Sequence, residues 1–183
     1  SITPDAARAA IARAHAKGMR VGGHIPAGLT IGEAIALGYD EIQHGNFWLL
    51  SFLGPEVLGR SQTPARFTDA YSRGHEIDPD GPAARAFVAQ LKARGTVVDP
   101  TLVTFENMFT GWKGEMVRWT APWMARMPAT SLRTARSGGR AKTPQELKTY
   151  RASFARMQQL LKRLHEAGVP VVNGTDGGAM LYS

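Results

Sequence analysis

Four side chains able to do chemistry follow short apolar or strand-favouring runs in this sequence. They are His24 after MRVGG, His44 after YDEIQ, Asp99 within TVVDPT and Asp176 within VPVVNGTDGG. An isolated buried carboxylate is very costly, so the acid behind the valines of 169–172 must be solvated, paired or bound to a cation. Neutral imidazoles and a carboxylate are donors that a zinc-like cation accepts. An acid beside such a cation can also take a proton from bound water. Each residue has a plainer use as well. A histidine at a strand end can be a satisfied structural group, Asp99 before Pro100 can fix a turn, and Asp176 can cap a following turn.

The elements that would position these residues alternate in type. Thr3, Pro4 and Gly18 bound a helix over 3–18, with Thr as N-cap, Pro in the first turn and Gly closing the end. Thr30 and Glu33 have capping-box spacing for a helix over 30–38. Ala84, Phe87, Val88 and Leu91 share one face of a helix over 81–95. Thr143, Pro144 and Glu146 start the longest helix, 143–168, whose stripe runs through Leu147, Tyr150, Phe154, Met157, Leu161 and Leu164. Each helix is followed or preceded by one of the four short runs, at 19–24, 39–44, 96–101 and 169–174. Helices alternating with apolar strands predict an α/β fold with parallel pairing and right-handed crossovers. In such folds the C-terminal strand ends assemble the site, which is where all four polar residues fall. Two long connections, 45–80 and 102–142, read as loops, the second carrying Trp112, Trp119 and Trp123. Segments of that length often enclose a site.

Bulk properties restrict the function classes. The 183 residues are 43% hydrophobic and 20% charged, which suits one domain, residues 1–183, with a core of its own. The longest apolar runs fall far short of a bilayer span, and the start lacks a secretory pattern, so no membrane partner is expected. With no cysteine, disulfides and thiolate metal sites are excluded, while the compartment stays open. The formal charge of +7 would suit an anionic partner. The basic residues read as scattered, and nucleic acid is not the expected partner. His15 and His165 lie near helix C-termini, where they complement the dipole; His75 falls in a loop. No zinc-protease helix motif, nucleophile elbow or phosphate-binding loop is present.

Four segments carry a resemblance to a known family: AHAKGMRVGGHIP (14–26), ALGYDEIQHG (36–45), ARGTVVDPTLVTFENMF (93–109) and AGVPVVNGTDGG (167–178). In them the chain resembles the amidohydrolase superfamily of metal-dependent hydrolases, more narrowly its imidazolonepropionase/prolidase-like branch. Asn173 stands where that family's pattern has alanine. The resemblance implies a (β/α)8 TIM-type barrel, of which this chain would hold the last four strand-helix units, strands five to eight. It implies that His24 binds metal and that His44 binds a second metal or contacts substrate. Asp176 would contact metal and move the proton. Thr101 and Phe105, just past the third strand, would contact substrate. The implied cofactor is a divalent metal, zinc in the first instance, as one or two ions. The implied reaction is hydrolysis of an amide-type C–N bond in a dipeptide, cyclic amide or related small molecule.

The family's first-strand H-x-H pair and its fourth-strand lysine segment are absent from this sequence. The expectation is therefore a fragment of a longer catalyst, inactive alone and completed by the remaining half of the same barrel, with homo-oligomer formation as a further possibility. The alternative expectation is a non-catalytic binding or scaffold module with a basic surface.

Overall fold

The computed structural model describes residues 2–116, 118–136 and 138–176. It begins with α1 (Pro4–His15), β1 (Gly22–Gly23), α2 (Ile31–Leu37) and β2 (Glu41–Gln43). Three helices follow, α3 (Gly45–Phe52), α4 (Pro55–Gly59) and α5 (Ala65–Arg73), then a 3-10 turn at Gly74–Glu76. Next come α6 (Pro82–Arg94), β3 (Val97–Asp99) and α7 (Leu102–Thr110). A 3-10 segment at Arg118–Arg126, α8 (Ala129–Ala135) and α9 (Pro144–Glu166) complete the order.

The start signals read from the sequence are the ones used. Thr3 caps α1 by accepting from the Ala6 amide. Thr30 and Thr143 each close a full capping box, with Glu33 and Glu146 respectively. Each reciprocal pair satisfies amides that the first turn of a helix leaves without intrahelical partners.

The sheet corrects the fold expectation. Among the described residues it has three parallel strands in the order β1-β2-β3. The fourth expected strand contributes one bridge, Val98 to Val171. The sheet is open, and the half of a (β/α)8 barrel implied by the resemblance is not what the chain forms; the α/β class alone stands. Local chemistry explains the short strands. β1 is a pair of glycines, which favour strands poorly. β2 stops where His44 turns to φ 65°, and β3 stops before Pro100 and Thr101, whose φ is 44°. Neither dihedral is compatible with extended backbone, and proline has no amide to continue the ladder.

The two expected loops are largely helical. Segment 45–80 holds α3, α4, α5 and the 3-10 turn, and segment 102–142 holds α7 and α8 with the 3-10 segment between them. α3 has no polar face to betray it: Phe47, Trp48, Leu49 and Leu50 are all buried. A helix apolar on every side lies inside the molecule, and a search for amphipathic stripes passes over it.

One core joins these elements. Ile31 and Ile35 of α2, Trp48 of α3, Leu91 of α6, Phe105 and Phe109 of α7, and Met157 and Leu160 of α9 are nearly fully buried within it. α9 lies against the 3-10 turn, α5 and α7. A smaller cluster of Ala141, Leu147 and Tyr150, with Tyr71 and Trp112 against it, fastens the segment that returns to α9.

Candidate functional site

β1 and β2 are adjacent and parallel, so their following residues, His24 and His44, emerge side by side. Their rings meet edge to face with centroids 4.9 Å apart. His44 holds its place despite a left-handed backbone because its amide donates to the Asp99 carbonyl (2.8 Å), and the Gly45 amide donates to that of Pro100 (3.0 Å). These bonds extend the β2–β3 pairing beyond the last regular strand residue. On the side chain, Nδ1 lies 2.9 Å from the Thr101 hydroxyl. That contact orients the imidazole and leaves Nε2 as its remaining nitrogen.

Asp99 has a different task. Its Oδ1 accepts from the amides of Thr101 (3.1 Å) and Gly174 (3.0 Å), clasping the chain that leaves the Val98–Val171 bridge. A Cβ at Gly174 would overlap the Asp99 carboxylate, so only glycine allows this approach. The Thr104 hydroxyl adds a second tie, donating to the Thr175 carbonyl at 2.7 Å. Asp176 follows these two ties at φ 48° and reaches the same cavity as the histidines.

That cavity has a volume of about 370 Å³. Phe47, Phe105 and Met108 form apolar walls, and Asn46, Arg66 and Arg140 add polar groups. The non-glycine residues at positive φ among those described are His44, Thr101 and Asp176. Two of them line the cavity and the third holds a liner in place, and such strained backbone concentrates at functional sites.

Electrostatics favour neutral imidazoles. The His24 pKa is lowered from its ordinary value first by loss of hydration, then by His44 and Arg66, against a raising effect of Asp176. The His44 pKa is lowered too, chiefly by burial and also by Arg66, against Asp176 and Asp99. Arg66 is itself pushed down by burial, with Asp176 opposing. Neutral imidazole is the form that ligates a metal or accepts a proton.

The expected site residues therefore fall as follows. His24, His44, Asp176 and Phe105 share the cavity; Thr101 stands behind His44 as its hydrogen-bond partner. His15 pairs with Asp40 (2.9 Å) away from this site. Among the described residues no group of three His, Cys, Asp or Glu side chains closes into a metal-binding cluster. The donors fit a zinc-type cation in kind, with two adjacent neutral imidazoles and a carboxylate on the same cavity. Sequence reasoning passed over Arg66, Arg140 and Asn46. The two arginines sit in the segments read as loops, where no spacing ties them to His24. Asn46 had a usable signal, a polar residue two positions past His44 at the head of an apolar run.

Comparison with known proteins identifies no relative: no family model, no curated protein and no solved structure matches this chain. Among the described residues no helix is long and apolar enough to cross a membrane.

Proposed function

We propose that the chain is a metal-dependent hydrolase of amide-type C–N bonds, with His24 and His44 as metal ligands and Asp176 as the proton-transfer group. One observation carries the reading: two imidazoles in edge contact share a cavity with a carboxylate at a strained position. The likeness of these segments to amidohydrolases supports it, without the barrel that family would bring. A divalent cation, zinc first, would supply activation of water and polarisation of a carbonyl oxygen. The chain's own residues have the remaining tasks. Thr101 fixes the orientation of His44, and Asp99 with Thr104 sets the position of Asp176. Phe47, Phe105 and Met108 exclude water and accept the apolar part of a dipeptide or cyclic amide. Asp176 takes the proton released from water and returns it to the departing nitrogen.

A second reading, an anion-binding module without catalysis, draws on the arginines of the same cavity, since two guanidinium groups oppose entry of a bare cation. Zinc titration with a hydrolysis assay on dipeptides and cyclic amides separates the two. Zinc binding lowered in His24→Ala, together with turnover lost in Asp176→Asn while zinc is retained, is the expected result. Native protein that takes up no zinc, or full turnover in Asp176→Asn, refutes the hydrolase.

A further inference from the structure

The net charge of this chain is not spread evenly. Residues 112–142 contain seven Lys or Arg and one acid, a net of +6 out of +7 for the whole sequence. The fold gathers part of that charge around a second cavity of about 500 Å³, lined by Lys113, Arg136, Arg140 and Lys142 with Tyr71 and, among the described residues, no acidic side chain. Arg140 lines this cavity and the histidine cavity alike, so the two adjoin.

The backbone that carries these cations is held in place. Trp112 bridges Ala141, and the Lys113 amide donates to the Ala141 carbonyl at 2.9 Å. Gly139 lies so close to Gly111 and Trp112 that a Cβ there would collide with their backbone. Among the described residues none of the four cations has an ion-pair partner. The neighbouring acid, Glu146, is turned to the amides of Lys142 and Thr143 as the cap of α9.

The histidine cavity also carries more cationic than acidic groups, with Arg66 and Arg140 against Asp176. Arg66 is stacked over Phe67, 4.5 Å from the ring centroid, and makes no ion pair among the described residues. Asn46 is 1% exposed, and among the described residues neither its side-chain oxygen nor its nitrogen has a hydrogen-bond partner. A buried amide without a partner is uncommon and marks a place where another polar group belongs.

We propose that the two cavities form one ligand site, in which Arg140 and its basic neighbours receive a carboxylate or phosphate group of a small molecule whose remainder lies over His24 and His44. Guanidinium forks bind both oxyanions in bidentate fashion, and the lysines add charge. The inference names the substrate class of the hydrolase reading and rests on that reading for the position of the scissile bond; the anion site itself needs only the cavities. A concave, acid-free surface opening into an aromatic-walled pocket fits a small anion better than a nucleic-acid strand, which would need a groove tracking its backbone.

The test is calorimetric titration of the chain in chelator at low salt, so that anion binding is read without metal or turnover. The probes are an N-acetyl dipeptide with a free carboxylate, the same dipeptide as its C-terminal amide, inorganic phosphate and a single-stranded oligonucleotide. The acid or phosphate should bind, with the amide weaker by roughly tenfold or more, the loss of one charge-assisted pair. Arg140→Gln should weaken the anion by roughly tenfold, with partial recovery in Arg140→Lys, and Lys142→Gln should lower the salt dependence. Arg140 and Lys142 are exposed, so these variants should fold, which circular dichroism checks. Preference for the acid assigns a carboxylate, and preference for inorganic phosphate assigns a phosphate group. Equal binding of acid and amide with no preference for phosphate, native affinity in Arg140→Gln, binding of the oligonucleotide alone, or binding of no anion overturns the proposal. Hydrolysis absent with anion binding intact would count against the hydrolase reading and leave the anion site standing.

Discussion

At the scale of single residues, Asp99 and Gly174 form the joint on which the candidate site depends. The carboxylate occupies the space that any side chain at 174 would need. Gly174→Ala should therefore destabilise the protein by about 1–3 kcal/mol, the usual range for forcing extra carbon into packed structure. It should also move Asp176 away from His44, seen as changed histidine resonances in NMR; native stability and unchanged resonances would refute the joint. The imidazoles make a pH prediction. Both pKa values are lowered in the folded protein from 6.5. Below that pH the unfolded chain binds protons that the folded chain does not, so stability rises with pH across the window and falls on acidification. Denaturant midpoints measured between pH 7 and 5 in chelator should decline, and less so in His44→Gln. A flat profile would contradict the neutral state of both rings.

At the scale of elements, α9 does most to unite the fold, and its sequence announces it. The capping box at Thr143 and Glu146 starts it, and a long apolar stripe buries Phe154, Met157, Leu160 and Leu164. Met157 is 0% exposed, and its sulfur lies against the backbone of Gly45 at the start of α3, one residue past His44. Met157→Ala should cost about 2–5 kcal/mol through the cavity it leaves. Thr143→Ala should cost about 1 kcal/mol through the lost cap. Urea unfolding of both variants ranks the two effects; a larger loss for the cap would mean that α9 is held mainly by its own first turn. α3 presents the opposite case. Its burial on all sides deprives it of a stripe, and the segment reads as a connection until its neighbours are seen.

At the scale of the whole molecule, one core runs from Ile11 of α1 through α3 and α7 to Leu164 of α9. Such continuity predicts a single cooperative transition for the chain. Tryptophan fluorescence, to which the fully buried Trp48 contributes, and far-ultraviolet circular dichroism should then report the same midpoint. Separated midpoints would show that the basic segment around Trp112, fastened by its own small cluster, unfolds apart from the rest.

The sequence by itself determined the starts of α1, α2, α6 and α9, the alternation of those helices with strand-favouring runs, and the candidates His24, His44 and Asp176. Those features are local: a cap, a stripe and a polar residue after an apolar run each lie within a few positions of one another. Tertiary structure decided the rest. It reduced the fourth expected strand to one bridge and left the sheet open, because strand pairing depends on backbone partners distant in sequence. It made Asp99, one of the four polar strand-end residues, the clasp of Gly174, a contact spanning 75 positions. It also brought Arg66 and Arg140 to the histidines, since the charge balance of a cavity depends on which surfaces meet, and no spacing along one chain encodes that meeting.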